Sequence, residues 1–226
     1  MLRTARAVAI LSVLALAASP LHSQDLVALC KQMSHPAVGS WATFKVVGGT
    51  NDGATVKVSV VGAEGADLWI EFAMNGFGER NGQKMSVMSK ALVDGFGPGM
   101  GHPKKSIVKI GTSPAMNMPV GGPMGQMASG DRVGFSKCGE GKSLGYTDIT
   151  VPAGTFHALH VEDKDGGEIW VMPSVALGLI KATKMGGGGD VVMTGHGSGA
   201  KDELTETPVP FNPAALMQMM GGQNSH

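Results

Sequence analysis

The run from Thr147 to Thr183, TDITVPAGTFHALHVEDKDGGEIWVMPSVALGLIKAT, constrains the fold more than any other part of the chain. Ile149, Val151, Phe156, Ala158, Leu159 and Val161 surround the break Pro152-Ala153-Gly154. β-Branched and aromatic residues favour extended backbone, and proline cannot donate a ladder hydrogen bond, so the break reads as a bulge or corner. Asp163-Lys164-Asp165-Gly166-Gly167 then offers polar side chains and two glycines between extended runs, which is a hairpin signal. Glu168 to Met172 is the return strand, Pro173-Ser174 interrupts it, and Leu177 to Lys181 resumes as a third. Three sequential antiparallel strands make a meander, a sheet that buries one face and wets the other.

The same grammar extends over the rest of the chain. Ser40 to Val47, Thr55 to Val61, Asp67 to Met74 and Lys84 to Leu92 read as strands; Ser106 to Gly111, Asp131 to Lys137 and Asp190 to Thr194 are weaker ones. Val56, Val58 and Val60 alternate with Lys57 and Ser59, the period of a half-buried strand. Asn51-Asp52-Gly53 is a turn by composition. The 35 glycines gather between apolar runs and favour turns over long helices. Asp94 to Lys105, Thr112 to Gly130 and Gly186 to Gly189 do not fit strands and read as loops, the first two long enough to suggest function or disorder. Two helices frame the sheet. Leu26, Leu29, Cys30 and Met33 recur at helical spacing within Gln24 to Met33. Asn212, Pro213 and Gly221 supply an N-cap, a first-turn proline and a C-terminal stop, with Leu216, Met217 and Met220 on one side. The sequence therefore predicts a mainly β protein: about ten short strands in a curved antiparallel sheet, with short N- and C-terminal helices. Residues 24–211 form one domain, and 212–226 a short helix and loose tail.

Residues 1–23 carry Arg3 and Arg6, an apolar run from Ala7 to Ala18, and small residues before Gln24. That is the order of a cleaved secretory signal peptide, and the run is shorter than the roughly 20 apolar residues of a membrane span. The expected location is the periplasm or the exterior of a bacterial cell. Without the two leader arginines, 16 basic residues face 18 acidic ones. No basic patch stands out, which argues against a nucleic-acid partner. Two cysteines in an exported chain suggest a Cys30–Cys138 disulfide, whose long loop stabilises by about 4 to 5 kcal/mol in the chain-entropy model; two buried thiols are the alternative.

Candidate chemistry is sparse. Met116-x-Met118, Met124-x-x-Met127, Met217-x-Met219-Met220 and His157-x-x-His160 offer thioether and imidazole ligands of the kind copper takes. His157 and His160 fall three apart on a strand, however, and so point to opposite faces. Methionine also fills irregular apolar pockets, and that reading is preferred, so no metal or other cofactor is expected. No Gly-x-Ser-x-Gly elbow is present and Cys138 has no sequence-adjacent catalytic partner, so the chain does not read as an enzyme. Glu162, Asp163, Asp165 and Glu168 fit a solvated hairpin tip; the glutamate that would complete a calcium loop is missing. A concave apolar surface is where small molecules bind, and Trp41, Phe44, Trp69, Phe72, Trp170, Met116, Met118, Met124 and Met127 are the candidates to line one. An ordinary core would use the same residues.

Thr150-Val151-Pro152-Ala153-Gly154-Thr155-Phe156, followed by Glu168 to Pro173 and Leu177-Gly178-Leu179-Ile180-Lys181, resembles a motif of bacterial exported domains. These are similar to the LolA/LolB-like periplasmic lipoprotein carriers, whose incomplete curved sheet closes around an apolar cavity. The resemblance implies a half-barrel and a lipid or lipoprotein acyl chain as ligand, and it assigns no residue a role. Two other functions remain open: a copper-binding protein using the methionine loops, and an interaction module with no small ligand.

Overall fold

The computed structural model describes residues 36–80, 83–94, 103–120, 141–163, 166–175, 178–185 and 188–214. Eleven strands lie among them: β1 Trp41–Val47, β2 Thr55–Glu64, β3 Asp67–Arg80, β4 Gln83–Val93, β5 Lys105–Ile110, β6 Met116–Met118, β7 Lys142–Val151, β8 Gly154–Glu162, β9 Glu168–Val171, β10 Leu179–Met185 and β11 Gly189–Gly197. They form one open antiparallel sheet, ordered β6-β5-β4-β3-β2-β1-β11-β10-β9-β8-β7. Two meanders thus run outward from a seam, β1 against β11, that joins the two ends of the described chain. The protein is mainly β, as its short alternating runs require.

Register sorts the side chains onto two faces, because cross-strand partners point the same way. One row runs Ala42, Val58, Phe72, Ser89, Val108, Met116 from β1 to β6. Its continuation beyond the seam includes Val46, Val191, Ala182, Ile169 and Val161. This face holds most of the apolar core, with Phe44, Val58, Val60, Ile70, Ile180 and Met193 fully buried. The opposite face carries Trp41, Ser59, Glu71, Lys90, Ile107 and Asn117 in one row.

The break at Pro152 is a corner, where Ala153 N–H donates to the Met193 carbonyl of β11 (3.2 Å). Phe156 meets His196 edge-on, with ring centroids 5.8 Å apart. The Asp163 turn closes through Asp163 N–H to the Gly167 carbonyl (2.8 Å) and Gly167 N–H to Asp163 Oδ1 (2.8 Å), with Gly166 at φ 72°. A register shift at Ser143/Gly145 leaves Leu144 as an extra residue and puts Gly145 at φ 92°, a conformation glycine adopts without penalty.

Met116 to Met118 departs from the expected loop. It pairs with β5 on one side and forms a parallel bridge to Val209 on the other. A partner some 90 residues away makes this short run extended, and no local pattern records it. Asn212 Oδ1 accepts from Ala214 N–H (3.0 Å), the capping bond expected there, and residues 213–214 are helical. The expected leader, the helix expected over 24–33, the strand expected over 131–137 and most of the helix expected after Asn212 lie outside the described residues, as do Cys30, Cys138, Met124 and Met127.

Candidate functional site

The sequence-selected residues divide between the two faces. Phe44, Phe72, Met116 and Met118 share the core face; Trp41, Trp69 and Trp170 stand on the other. Phe44 and Phe72 are buried in the apolar core. Each tryptophan has polar neighbours of its own, and Trp170 is also buried as part of the contiguous apolar core. Trp41 lies over Gly195 and Gly197 of β11, and its Nε1–H donates to the Ser198 carbonyl (3.2 Å). Trp69 Nε1–H donates to Glu64 Oε1 (3.0 Å), while Lys90 and Lys105 Nζ sit 5.2 and 5.8 Å from its ring. Trp170 stacks on His160 at 4.4 Å and 9° between planes, with Lys181 Nζ 5.5 Å from its ring. The seven candidates among the described residues therefore do not converge on one surface.

The apolar core thins toward β6. The row neighbouring Phe72 runs Val60, Ile70, Ala91, Ser106, Met118, so the face changes from aliphatic to hydroxyl and thioether at β5 and β6. Met116 and Ala115 are buried but lie outside the contiguous core. Ser106 is buried, and its Oγ has no hydrogen-bond partner. A buried hydroxyl left unpaired costs about 1–3 kcal/mol. Sequence reasoning passed over Ser106, because a serine in S-I-V-K-I looks like any strand residue that faces water.

The second feature that sequence reasoning missed lies on the other face. Residues 198–209 cross β1 to β6 as a strap. Ala200 N–H donates to the Gly39 carbonyl (2.8 Å) at one end; at the other, Asn117 N–H donates to the Val209 carbonyl (2.9 Å) and Val209 N–H to the Ala115 carbonyl (2.8 Å). Between them Glu203 pairs with Lys57, Asp202 with Lys90, and Glu206 with Lys109 (2.7 Å). At the centre Glu71, 2% exposed, accepts the N–H of Leu204 (2.9 Å) and of Glu203 (3.2 Å). Burial, more than the neighbouring Asp202 carboxylate, pushes the Glu71 carboxyl up; the two backbone donors offset this only in part. Nearby, the Lys105 ammonium and then the Trp69 indole hold the exposed Glu64 below the ordinary glutamate range, and the Asp67 carboxylate raises Lys104. A hint was available in the sequence, where alternating lysines of three strands answer the acids of KDELTE, but nothing in the order of residues pairs them.

The histidines separate as their spacing requires. His157 Nδ1 lies 2.7 Å from Asp148 Oδ1 on an exposed surface and stacks beside Tyr146 at 5.5 Å. His160 Nε2 is buried 3.5 Å from Glu168 Oε1. Among the described residues no three His, Cys, Asp or Glu side chains are placed to share a metal ion, and no helix is long and apolar enough to cross a membrane. No protein family, curated protein or solved structure matches the chain.

Proposed function

We propose that this is an exported, non-enzymatic carrier of an amphipathic apolar ligand, such as a fatty acid or lipoprotein acyl chain, bound on the core face at the β4–β6 end. The observation that carries the reading is the unpaired, buried Ser106 hydroxyl beside Met118. A ligand oxygen or carboxyl would satisfy that hydroxyl, and flexible thioethers adapt to an acyl chain. The half-barrel bend expected of the sheet would cup this face around a ligand. In a flat sheet three strand spacings of about 4.8 Å would separate β8 from β11. The contacts of Ala153 with Met193 and of Phe156 with His196 support a curved sheet. Export to the periplasm follows from the expected leader.

The test separates binding from folding. Ser106→Ala is expected to raise stability in urea, since it removes an unpaired polar group, and to weaken binding of a fluorescent fatty acid about three- to tenfold, the worth of one hydrogen bond. A variant that binds the probe as tightly as the parent overturns the reading. One observation favours a second function. Met116 and Met118 stand two apart on one strand, so their thioethers lie side by side on one face, a donor set suited to Cu(I). Stoichiometric Cu(I) uptake, lost in Met118→Leu, with no fatty-acid binding in the parent would decide for copper.

A further inference from the structure

The face opposite the core has its own cover, and the chemistry beneath it is that of a latch. The strap lies over a row of the sheet and not along an edge. Its acids meet lysines drawn from β2, β4 and β5, one each. Leu92 of β4 and Leu204 of the strap are buried outside the main core and mark a second, smaller buried layer beneath it. Three lysines answer three strap acids, which leaves Glu71 as an additional carboxylate at the centre of the contact.

We propose that residues 198–209 form a pH-gated strap: the strap is closed while Glu71 holds its proton, and loss of that proton lifts the strap from the sheet. Every group that faces Glu71 enters this balance. From β2 come Ser59 beside it and Lys57 on the diagonal; from β4, Lys90; from the strap, Asp202 and Glu203. Ile107 of β5 extends the row, with Lys105 and Lys109 on either side, bound to Glu64 and Glu206. Lys57 and Lys90 are already engaged with Glu203 and Asp202, so neither serves Glu71 as a dedicated counter-ion. Two backbone N–H groups are its donors, and both belong to the strap. Leu204 N–H donates to both Glu71 Oε2 and Asp202 Oδ1 (2.9 and 3.1 Å), so when Glu71 ionises two carboxylates crowd one donor in a partly dry layer, which raises the energy of the closed form. The open form puts both in water. Opening frees three lysines and exposes the outer edge of β6, which Val209 now occupies.

Hydrogen–deuterium exchange on the whole protein tests this across about pH 5 to 9, the span accessible to a buried carboxyl. After correction for intrinsic exchange, protection of the Leu204 and Val209 amides is expected to fall with rising pH by up to about tenfold per unit, the limit for one proton. The Ile180 amide, in the main core, keeps its protection, which separates strap opening from unfolding. Glu71→Gln keeps an acceptor for Leu204 and gives Asp202 a donor, so its strap stays protected at every pH. Strap protection that does not change with pH in the parent overturns the proposal. So does the same slope in Glu71→Gln, or loss of Ile180 protection in parallel.

Discussion

Glu71 and Ser106 are both buried polar residues, and they differ in what surrounds them. Glu71 has two strap amides to accept from, whereas Ser106 Oγ has none. Removing the Glu71 acceptor by Glu71→Ala takes away the acceptor of the Glu203 N–H and leaves Leu204 N–H with Asp202 Oδ1 alone (3.1 Å), and a loss of about 1–3 kcal/mol in urea unfolding is expected at low pH. The pH dependence has a definite sign. Because the folded carboxyl titrates above the ordinary glutamate value, between those two values the native state holds a proton that the unfolded state has released. Stability therefore falls as pH rises through that window, and Glu71→Gln flattens this part of the profile. Phe44 belongs to the other class of residue, 1% exposed and with no polar obligation. Phe44→Ala is expected to cost about 3–5 kcal/mol, measured by chemical denaturation.

At the scale of elements, the seam is a place of close side-chain fit. A Cβ added at Gly197 would lie 3.0–3.1 Å from three atoms of the Trp41 indole, and one at Gly195 would be 3.1 Å from Thr43 Oγ1. β11 is thus kept bare so that the indole can lie across it. Gly197→Ala is expected to push the ring off its seat, breaking the bond to Ser198 and costing about 1–3 kcal/mol, the usual range for overpacking. A shift in tryptophan emission would report the displacement. The two outer strands are treated differently. β6 is sealed by Val209, whereas β7 pairs only with β8 among the described residues and presents the bulge at Leu144 and Gly145 on its edge. Bulges of this kind discourage further strand addition.

At the scale of the whole molecule, among the described residues the two meanders are joined into one sheet by the pairing of β1 with β11, whose partners are about 150 residues apart in the chain. Neither meander buries its core face alone, because Val46 and Phe44 on one side pair with Val191 and Met193 on the other. The two halves should unfold together. Trp69 reports the N-terminal meander and Trp170 the C-terminal one. Single-tryptophan variants retaining one or the other are expected to give coincident urea transitions, the behaviour of a single cooperative unit. Refolding should be slow for a chain of this size, since the seam closes a long loop before its contacts form.

The period-two alternation of valines and the glycine-centred turns determined which runs are strands and which of their side chains face inward, because both signals act between residues a few positions apart. His157 and His160 were separated correctly by that rule alone. The expectation that Trp41 and Phe44 line one surface ran against the same rule, since their spacing of three puts them on opposite faces. Only the tertiary structure decided that Met116 to Met118 is a strand, that Ser106 is buried without a partner, and that the acids after Ala200 close over Glu71. Each of these depends on a contact made across at least one strand pair, and a segment's energy in such a contact is set by neighbours that its own sequence does not contain.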